Sequence, residues 1–219
     1  MIRKLSGPSR GAALGTADAL VVFVHGYGAN GDDLFGLAEP LSQILPNAAF
    51  SAPNAPEKVP MAPMGFQWFP IPWLDGSPEQ AMWDGFAQAQ KDFNAYLDEE
   101  LERLSLPHDR LALVGFSQGC MMSLHIGPRR EPGPAGIVGI SGKLVSPDKL
   151  KAEKKSSPPT LLIHGDMDDV VPVDSIHEAR EALAAAEIPV RWHISRGIGH
   201  GIAQDGLQLT AAFLKQVIG

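Results

Sequence analysis

Residues 111–124 read LALVGFSQGCMMSL, and this stretch decides the fold. Its first apolar residues predict a short buried strand, and the apolar run after Ser117 predicts a helix. Between them, residues 115–119 (GFSQG) match the G-x-S-x-G pattern of a nucleophile elbow, a sharp turn that presents a serine at a helix N-terminus. The alternative is a glycine-rich strand-to-helix turn with an incidental serine, because the pentapeptide alone is weak evidence.

The composition favours a globular enzyme or binding protein. The chain has 219 residues, of which 44% are apolar and 20% charged, and a formal net charge of -7. An acidic chain without a basic block disfavours nucleic acid and anionic membranes as main partners. Its one cysteine, Cys120, can form no internal disulfide, so we expect a reducing, cytoplasmic compartment. No stretch has the apolar length of a membrane span, and residues 1–14 lack the apolar region of a signal peptide.

Buried apolar runs alternate with amphipathic stretches along the whole chain. The predicted strands are residues 2–5 (at an edge), 19–24, 48–52, 110–115, 135–140, 160–164 and 190–195. The predicted helices are residues 32–45, 78–104 (capped by Ser77), 117–127, 175–187 (capped by Asp174) and 205–217. Residues 53–77 and 143–157 are expected to be irregular. The alternation predicts one α/β domain over residues 1–219, with a mostly parallel central sheet, helices on both faces and no separate cap domain.

Loops at the carboxyl ends of the predicted strands carry polar side chains, and ligands of open α/β sheets bind at that edge. A serine nucleophile needs a base within hydrogen-bond reach, and the base needs an orienting carboxylate. His200, in a glycine-flanked loop after the last strand, is the candidate base. The carboxylate is Asp168 or Asp169, and Asp166 is the expected turn-forming residue.

The other six histidines suit the role of base less well. They lie within helices or strands, before a strand or in the first glycine loop: His25, His108, His125, His164, His177 and His193. His164 closes a strand beside the acidic turn, where we expect a structural hydrogen bond.

An acyl-transfer site also needs two N–H donors for the oxyanion of its tetrahedral intermediate. The backbone N–H of Gln118, directly after the serine, is one candidate. The other is the N–H of Tyr27, which is flanked by two glycines in the loop after the first long strand. The alternative for that loop is a plain glycine-rich turn.

Several segments together resemble the phospholipase/carboxylesterase family of α/β-hydrolases, which includes the acyl-protein thioesterases. They are VVFVHGYGANGDDL, SAPNAP with FQWFPI, LALVGFSQGCMMSL, LLIHGDMDDVVP and GIGHGI, spread from about residue 20 to 205. The resemblance implies an α/β-hydrolase fold in which Ser117 is the nucleophile, Asp168 the carboxylate and His200 the base. It implies Tyr27 and Gln118 as oxyanion donors, no metal and no cofactor, and it is compatible with a homodimer through the aromatic loop.

Two positions depart from the family pattern. Cys120 stands where the family usually has a smaller residue, commonly glycine, and we expect a buried structural thiol. Tyr27 stands where the family often has leucine. Its backbone N–H serves equally well, but its side chain narrows or polarises the entrance and leaves the substrate preference open.

The aromatic residues of the segment 53–77 are the candidate acyl site. We hypothesise that an apolar groove beside Ser117 is lined by Met61, Met64, Phe66, Trp68, Phe69 and Trp73. The alternative is that these side chains only bury the segment against the sheet.

The residues together favour a serine carboxylesterase acting on short- to medium-chain esters through an acyl-enzyme. An acyl-protein thioesterase or lysophospholipase is the enzymatic alternative, since the same machinery accepts both ester types. A non-catalytic ligand-binding homologue is the alternative of another class, although a binder needs no triad.

Overall fold

The computed structural model describes residues 1–60 and 62–219. Its strands are Ser9–Arg10 (β1), Ala19–Val24 (β2), Ala48–Ser51 (β3), Glu57–Val59 (β4), Ala62–Gln67 (β5), Leu111–Phe116 (β6), Gly136–Ile140 (β7), Thr160–Gly165 (β8) and Val190–Ser195 (β9). Its α-helices are Gly31–Phe35 (α1), Ala38–Ile44 (α2), Pro72–Asp75 (α3), Glu79–Leu104 (α4), Gln118–Ile126 (α5), Pro147–Glu153 (α6), Asp174–Ala185 (α7) and Gln204–Ile218 (α8). Short 3-10 helices cover His108–Arg110 and Gly127–Arg129.

Seven of these strands form the central sheet in the order β1-β3-β2-β6-β7-β8-β9. The edge strand β1 runs antiparallel to β3, and every other neighbouring pair is parallel. The mostly parallel sheet predicted from the sequence is therefore confirmed. The carboxyl ends of β2, β6, β8 and β9 meet at one edge, which brings the four polar loops together.

The two faces of the sheet each bury an apolar layer. In β2, Leu20, Val22 and Val24 point to one face, and the intervening residues point to the other. This division follows from the two-residue repeat of a strand, and it explains why the whole strand is apolar. Helices α4, α5 and α7 cover the first face, and α1, α2 and α8 cover the second. The predicted layer arrangement is confirmed.

Three local predictions were wrong. Residues 2–5 form no strand, and the antiparallel edge is β1. The segment 53–77 contains the two-stranded ribbon β4–β5 and helix α3, which escape detection because the ribbon pairs with itself outside the apolar main sheet. The segment 143–157 contains α6, which starts on a proline whose fixed φ suits the first helical turn.

The helix caps also differ from expectation. The N-cap of α4 is Pro78, and the hydroxyl of Ser77 has no hydrogen-bond partner among the described residues. Asp174 is the first residue of α7, where its charge still favours the helix N-terminus, and Val173 occupies the cap. Of the helices in the described range, none combines the length and apolar character needed to cross a membrane.

Candidate active site

Ser117 occupies the sharp turn between β6 and α5. Its backbone has φ 54° and ψ -115°, a conformation that non-glycine residues rarely adopt and that marks stored strain. The turn is held in the centre of the sheet, where Ser117 N–H donates to the carbonyl of Ile140 at 2.8 Å. A Cβ atom on Gly119 would lie 1.8 Å from the Val24 carbonyl oxygen, so only glycine fits there. The local sequence thus places the serine at the carboxyl end of the central strand β6.

The structure brings Ser117, Asp168 and His200 together from three separate loops. His200 Nε2 lies 3.0 Å from Ser117 Oγ, and His200 Nδ1 lies 2.8 Å from Asp168 Oδ2. Because an ionised carboxylate only accepts hydrogen bonds, Nδ1 carries the proton and Nε2 faces the serine as an acceptor. The serine and aspartate are buried, and the imidazole ring packs 4.9 Å from the ring of Phe116. This geometry can remove a proton from the Ser117 hydroxyl.

Asp168 is held in its charged form by hydrogen bonds. Burial alone would raise the pKa of this carboxyl, but the N–H groups of Val171 and Val170 and the ring of His200 stabilise the charge and lower the pKa below its usual value. Asp168 Oδ1 accepts from Val171 at 2.8 Å and from Val170 at 3.0 Å. The other oxygen, Oδ2, accepts the hydrogen bond from His200 Nδ1.

The other two aspartates of this turn, Asp166 and Asp169, do not contact His200 within the described part of the chain. Asp169 is exposed, so of the two candidates left open by the sequence it is Asp168 that contacts His200. Asp166, the expected turn-forming residue, instead accepts a hydrogen bond from the Gly197 N–H at 2.6 Å. It therefore joins the aspartate turn to the loop that carries His200.

The two candidate oxyanion donors follow the carboxyl ends of adjacent strands. Tyr27 follows β2, Gln118 follows β6, and the register of these strands pairs Val24 with Gly115. Within the described residues, the N–H groups of Tyr27 and Gln118 donate to no protein acceptor. Gln118 is the first residue of α5, where a free N–H group favours an anion, and Tyr27 lies in the loop after β2. Both N–H groups are therefore available to an oxyanion.

The first glycine loop is fixed by the ribbon β4–β5. Gly28 N–H donates to the Phe66 carbonyl at 2.9 Å, and Phe66 N–H donates to the Ala29 carbonyl at 2.7 Å. A ribbon that binds the loop from outside pins the backbone beside Tyr27. These bonds could not be predicted from the sequence, because they join segments nearly forty residues apart.

His25 also supports this loop, in a way that the sequence did not suggest. Its ring is fully buried, and Nε2 accepts from the Ala55 N–H at 2.9 Å. The proton therefore lies on Nδ1, which donates to the Gly26 carbonyl at 2.7 Å. Burial lowers the pKa of His25 and keeps the imidazole neutral. His25 is a structural residue and lies in no position to serve as the base.

The aromatic residues predicted to line the acyl groove separate into two groups. Phe69 and Trp73 line an apolar cavity of about 290 Å³. The cavity is completed by side chains from α4, α5, α7 and the loop after β7: Met82, Trp83, Phe86, Met121, Lys143, Leu144, Val145, Ser146, Pro147 and Glu178. Met121 lies one turn along α5 from Ser117, so part of the cavity wall belongs to the helix that begins after the serine.

Of the other predicted groove residues, Trp68, Phe66 and Met64 do not line this cavity. Trp68 is fully buried, and its indole N–H donates to the His25 carbonyl at 2.9 Å, so it is part of the core. Phe66 lies on the ribbon, with Lys58 Nζ 3.6 Å from its ring centroid. Met64 is exposed on the same ribbon, and Met61 lies outside the described residues. The expectation that all six side chains form one groove therefore needs correction.

Cys120 is buried directly behind the elbow, as predicted. Burial raises the pKa of its thiol to about 12, despite backbone contacts at Gly142 and Ile140 that lower it. A thiol that stays protonated is a poor nucleophile, so its environment suits a packing role.

The chain is similar over nearly its whole length to known esterases and thioesterases. The protein-family model for phospholipase/carboxylesterase matches residues 12–218. The chain is 30% identical to acyl-protein thioesterase 1 of Saccharomyces cerevisiae over 224 residues, which cover 97% of this chain and 98% of the yeast protein. It is 29% identical to acyl-protein thioesterase 1 of Gibberella zeae over 212 residues, 90% of each chain. The solved structure of esterase PE8 matches with a TM-score of 0.92 and 44% identity, covering 98% of this chain and all of that one.

Proposed function

The chain belongs to the phospholipase/carboxylesterase family and is a serine hydrolase of the esterase or thioesterase type, and from that premise we propose that it is a carboxylesterase for short- to medium-chain esters. The proposed nucleophile is Ser117, with His200 as base and Asp168 as the orienting carboxylate. The observation that carries this assignment is the position of the His200 ring, within 3.0 Å of the serine and 2.8 Å of the aspartate.

The proposed reaction has two halves. Ser117 Oγ attacks the acyl carbonyl carbon while its proton passes to His200 Nε2, and the N–H groups of Tyr27 and Gln118 hold the oxyanion. The tetrahedral intermediate collapses, the bond to the alcohol oxygen breaks, and His200 returns the proton to the departing alcohol. Water then attacks the acyl-enzyme and gives its proton to His200. The acid leaves, and Ser117 regains its proton.

The size of the apolar cavity supports the proposed chain length. Small-molecule pockets span roughly 300–1,000 Å³, and this cavity, at about 290 Å³, is at the small end of that range. Aromatic and aliphatic side chains cover most of its wall, which suits an alkyl chain. A second depression of about 390 Å³ shares Trp73, Met121, Lys143 and Glu178 with it and leads towards Val170 and Val171. We assign the first cavity to the acyl chain.

A fluorophosphonate probe tests the proposed nucleophile. We expect the wild-type protein to be labelled and Ser117→Ala to remain unlabelled. Ser123→Ala is the matched control, since Ser123 lies on the same helix and its hydroxyl only donates to the Gly119 carbonyl. Equal labelling of wild type and Ser117→Ala would reject the proposed nucleophile. No labelling of either would favour a non-catalytic ligand-binding homologue.

An acyl-protein thioesterase or lysophospholipase is the second candidate, because relatives that match over nine-tenths of the chain or more carry the name acyl-protein thioesterase 1. A thioester offers the same carbonyl to Ser117 and a thiolate in place of the alkoxide. Rates on an oxygen ester and a thioester with the same acyl chain, measured side by side with a lysophospholipid, discriminate the candidates. A preference for soluble oxygen esters is the outcome that we expect.

Two further proposals concern the setting of the enzyme. A single, buried cysteine supports a cytoplasmic location, where disulfides are rare. The second proposal is a homodimer whose interface includes Trp73 and Leu74, which are exposed on α3. Analytical ultracentrifugation of wild type and of a Trp73→Ala, Leu74→Ala double variant tests it: a wild-type monomer would reject it.

A further inference from the structure

Asp168 Oδ2 is shared by two imidazole rings. His200 Nδ1 lies 2.8 Å from this oxygen, and His164 Nε2 approaches it from the other side at 3.3 Å. His164 is the second-to-last residue of β8, and it is 1% exposed. A fully buried polar ring in contact with the proposed carboxylate is a feature that the two-step reaction above does not use.

The contacts of His164 fix which nitrogen carries its proton. Nε2 lies 2.9 Å from the Val171 carbonyl oxygen, which can only accept a hydrogen bond. The Nε2–H group therefore donates to the Val171 carbonyl, and Asp168 Oδ2 lies beside the same group, 3.3 Å from Nε2. Val171 in turn donates its N–H to Asp168 Oδ1 at 2.8 Å. The three residues form a closed ring of contacts that limits rotation of the carboxylate.

The residues after His164 position the base itself. A Cβ atom on Gly165 would lie 2.2 Å from the Ile198 carbonyl oxygen, so the loop that carries His200 rests directly on this backbone. Asp166 accepts from the Gly197 N–H, and Met167 N–H donates to the Ile198 carbonyl at 2.9 Å. The segment HGDMD thus holds both partners of the proposed Asp168–His200 pair.

We propose that His164 is a positioning residue for the proposed triad, which orients the Asp168 carboxylate and draws part of the negative charge of Oδ2 away from His200. The inference rests on the proposed function. The N–H group of His164 has its nitrogen 3.3 Å from the oxygen that faces the base, and its positive end reduces the attraction between that oxygen and a protonated His200. It also keeps Oδ2 aligned with His200 Nδ1, which fixes the tautomer that the reaction needs.

Two substitutions of His164 test the proposal. His164→Phe keeps the volume of an aromatic ring and removes the donor, whereas His164→Gln keeps an N–H donor near the position of Nε2. We expect His164→Phe to lower kcat about ten-fold with KM within two-fold of wild type, since the buried Val171 carbonyl loses its donor and Val171 in turn holds Asp168 Oδ1. We expect the acid limb of its kcat/KM profile to move to higher pH by about half a unit.

His164→Gln should recover most of the rate and the wild-type limb. His177→Phe, the same change in a side chain on α7, should match wild type throughout. A His164→Phe enzyme with wild-type kcat, or with an acid limb that is unmoved or moves to lower pH, would overturn the proposal. If fluorophosphonate labelling persists in Ser117→Ala, the proposed function fails instead, so the two failures are distinguishable.

A measurement on the wild-type chain covers the case in which His164→Phe does not fold. In a ¹⁵N spectrum of histidine-labelled protein at a pH of full activity, we expect His164 to carry its proton on Nε2 and to have a bare Nδ1. A proton on Nδ1 with a bare Nε2 would leave the Val171 carbonyl without its donor and place a lone pair beside Asp168 Oδ2, and would overturn the proposal.

Discussion

Gln118 ties the elbow to the aromatic segment through its contact with Trp68. The side-chain Oε1 of Gln118 accepts a hydrogen bond from the Trp68 N–H at 2.8 Å, and its Nε2 donates to the Phe69 carbonyl at 2.7 Å. All of these groups are buried. The residue whose backbone is a proposed oxyanion donor therefore also fixes, through its side chain, the segment that leads into the acyl cavity.

We predict that Gln118→Ala destabilises the protein more than it impairs fluorophosphonate labelling. The change leaves the Trp68 N–H and the Phe69 carbonyl buried without partners, at a cost of about 2 kcal/mol of unfolding free energy. The backbone N–H stays in place, so labelling by the probe should persist. Urea denaturation of Gln118→Ala and of the exposed control Gln80→Ala measures the difference. Equal stability of the two variants would contradict the role of this side chain.

The sequence predicted the sheet well because its signals were local. Strands β2, β6 and β7 were continuous apolar runs, and the elbow combined a run, a glycine pair and a helix start within fourteen residues. The ribbon β4–β5 carried no such signal, because its strands pair only with each other and alternate irregularly between buried and exposed positions. Secondary structure that depends on one neighbouring strand leaves little periodicity to detect.

The order of residues along the chain was enough to predict part of the candidate site. Position after a strand selected Ser117 and His200, but left Asp168 and Asp169 open until the family resemblance and then the contacts decided. Trp68 was misplaced because a tryptophan in a loop looks the same whether it lines a groove or fills the core. Only its hydrogen bond to the His25 carbonyl distinguishes the two, and that bond joins residues 43 positions apart.

Asp168→Asn should lower kcat by roughly 10³- to 10⁴-fold with little change in KM, by analogy with the loss seen when the carboxylate of a serine-protease triad is replaced. An amide can present its NH₂ group to His200 Nδ1 and so favour the wrong tautomer. The control is Asp169→Asn, an exposed neighbour with the same change in charge. Steady-state kinetics on a p-nitrophenyl ester decide. A similar loss in both variants would show that charge, rather than contact, is what matters.

His125 should make the protein acid-sensitive. Burial, followed by the nearby charge of Arg129, lowers the pKa of His125 to about 4 from an ordinary value of 6.5. The folded state then binds the proton less well than the unfolded chain. The contribution of neutral His125 to the free energy of unfolding is complete above about pH 6.5 and is lost as the pH falls towards 4.

His125→Phe keeps the edge-to-face ring contact with Phe86, whose centroid lies 4.7 Å away, and removes the titration. We expect the free energy of unfolding of wild type to fall relative to this variant by about 3 kcal/mol between pH 7 and pH 4. Denaturation curves at several pH values measure this, with His177→Phe as the control. Parallel pH dependence of wild type and His125→Phe would refute the prediction.

The acyl cavity should set chain-length preference through Phe69 and Trp73. Phe69 is buried against Phe86, with ring centroids 5.0 Å apart, and Trp73 is exposed on α3 with Lys143 Nζ 5.1 Å from its ring centroid. Removing the Phe69 ring enlarges the interior of the cavity, whereas removing the Trp73 ring opens its wall to solvent. We therefore expect Phe69→Ala to move the optimum towards longer acyl chains. Trp73→Ala should instead reduce kcat/KM for every chain with an apolar tail, by about 3- to 10-fold, because contact area is lost.

Met64→Ala is the matched control for these two variants, since Met64 is an exposed apolar residue of the neighbouring ribbon that does not line the cavity. A series of p-nitrophenyl esters from two to twelve carbons measures all three enzymes against wild type. Trp68→Ala is unsuitable here, because it would empty the core beside His25 and lower stability whatever the substrate. If Phe69→Ala and Trp73→Ala both keep the wild-type profile, the acyl chain does not enter this cavity. The depression that extends towards Val170 and Val171 is then disfavoured as well, because Trp73 also lines it.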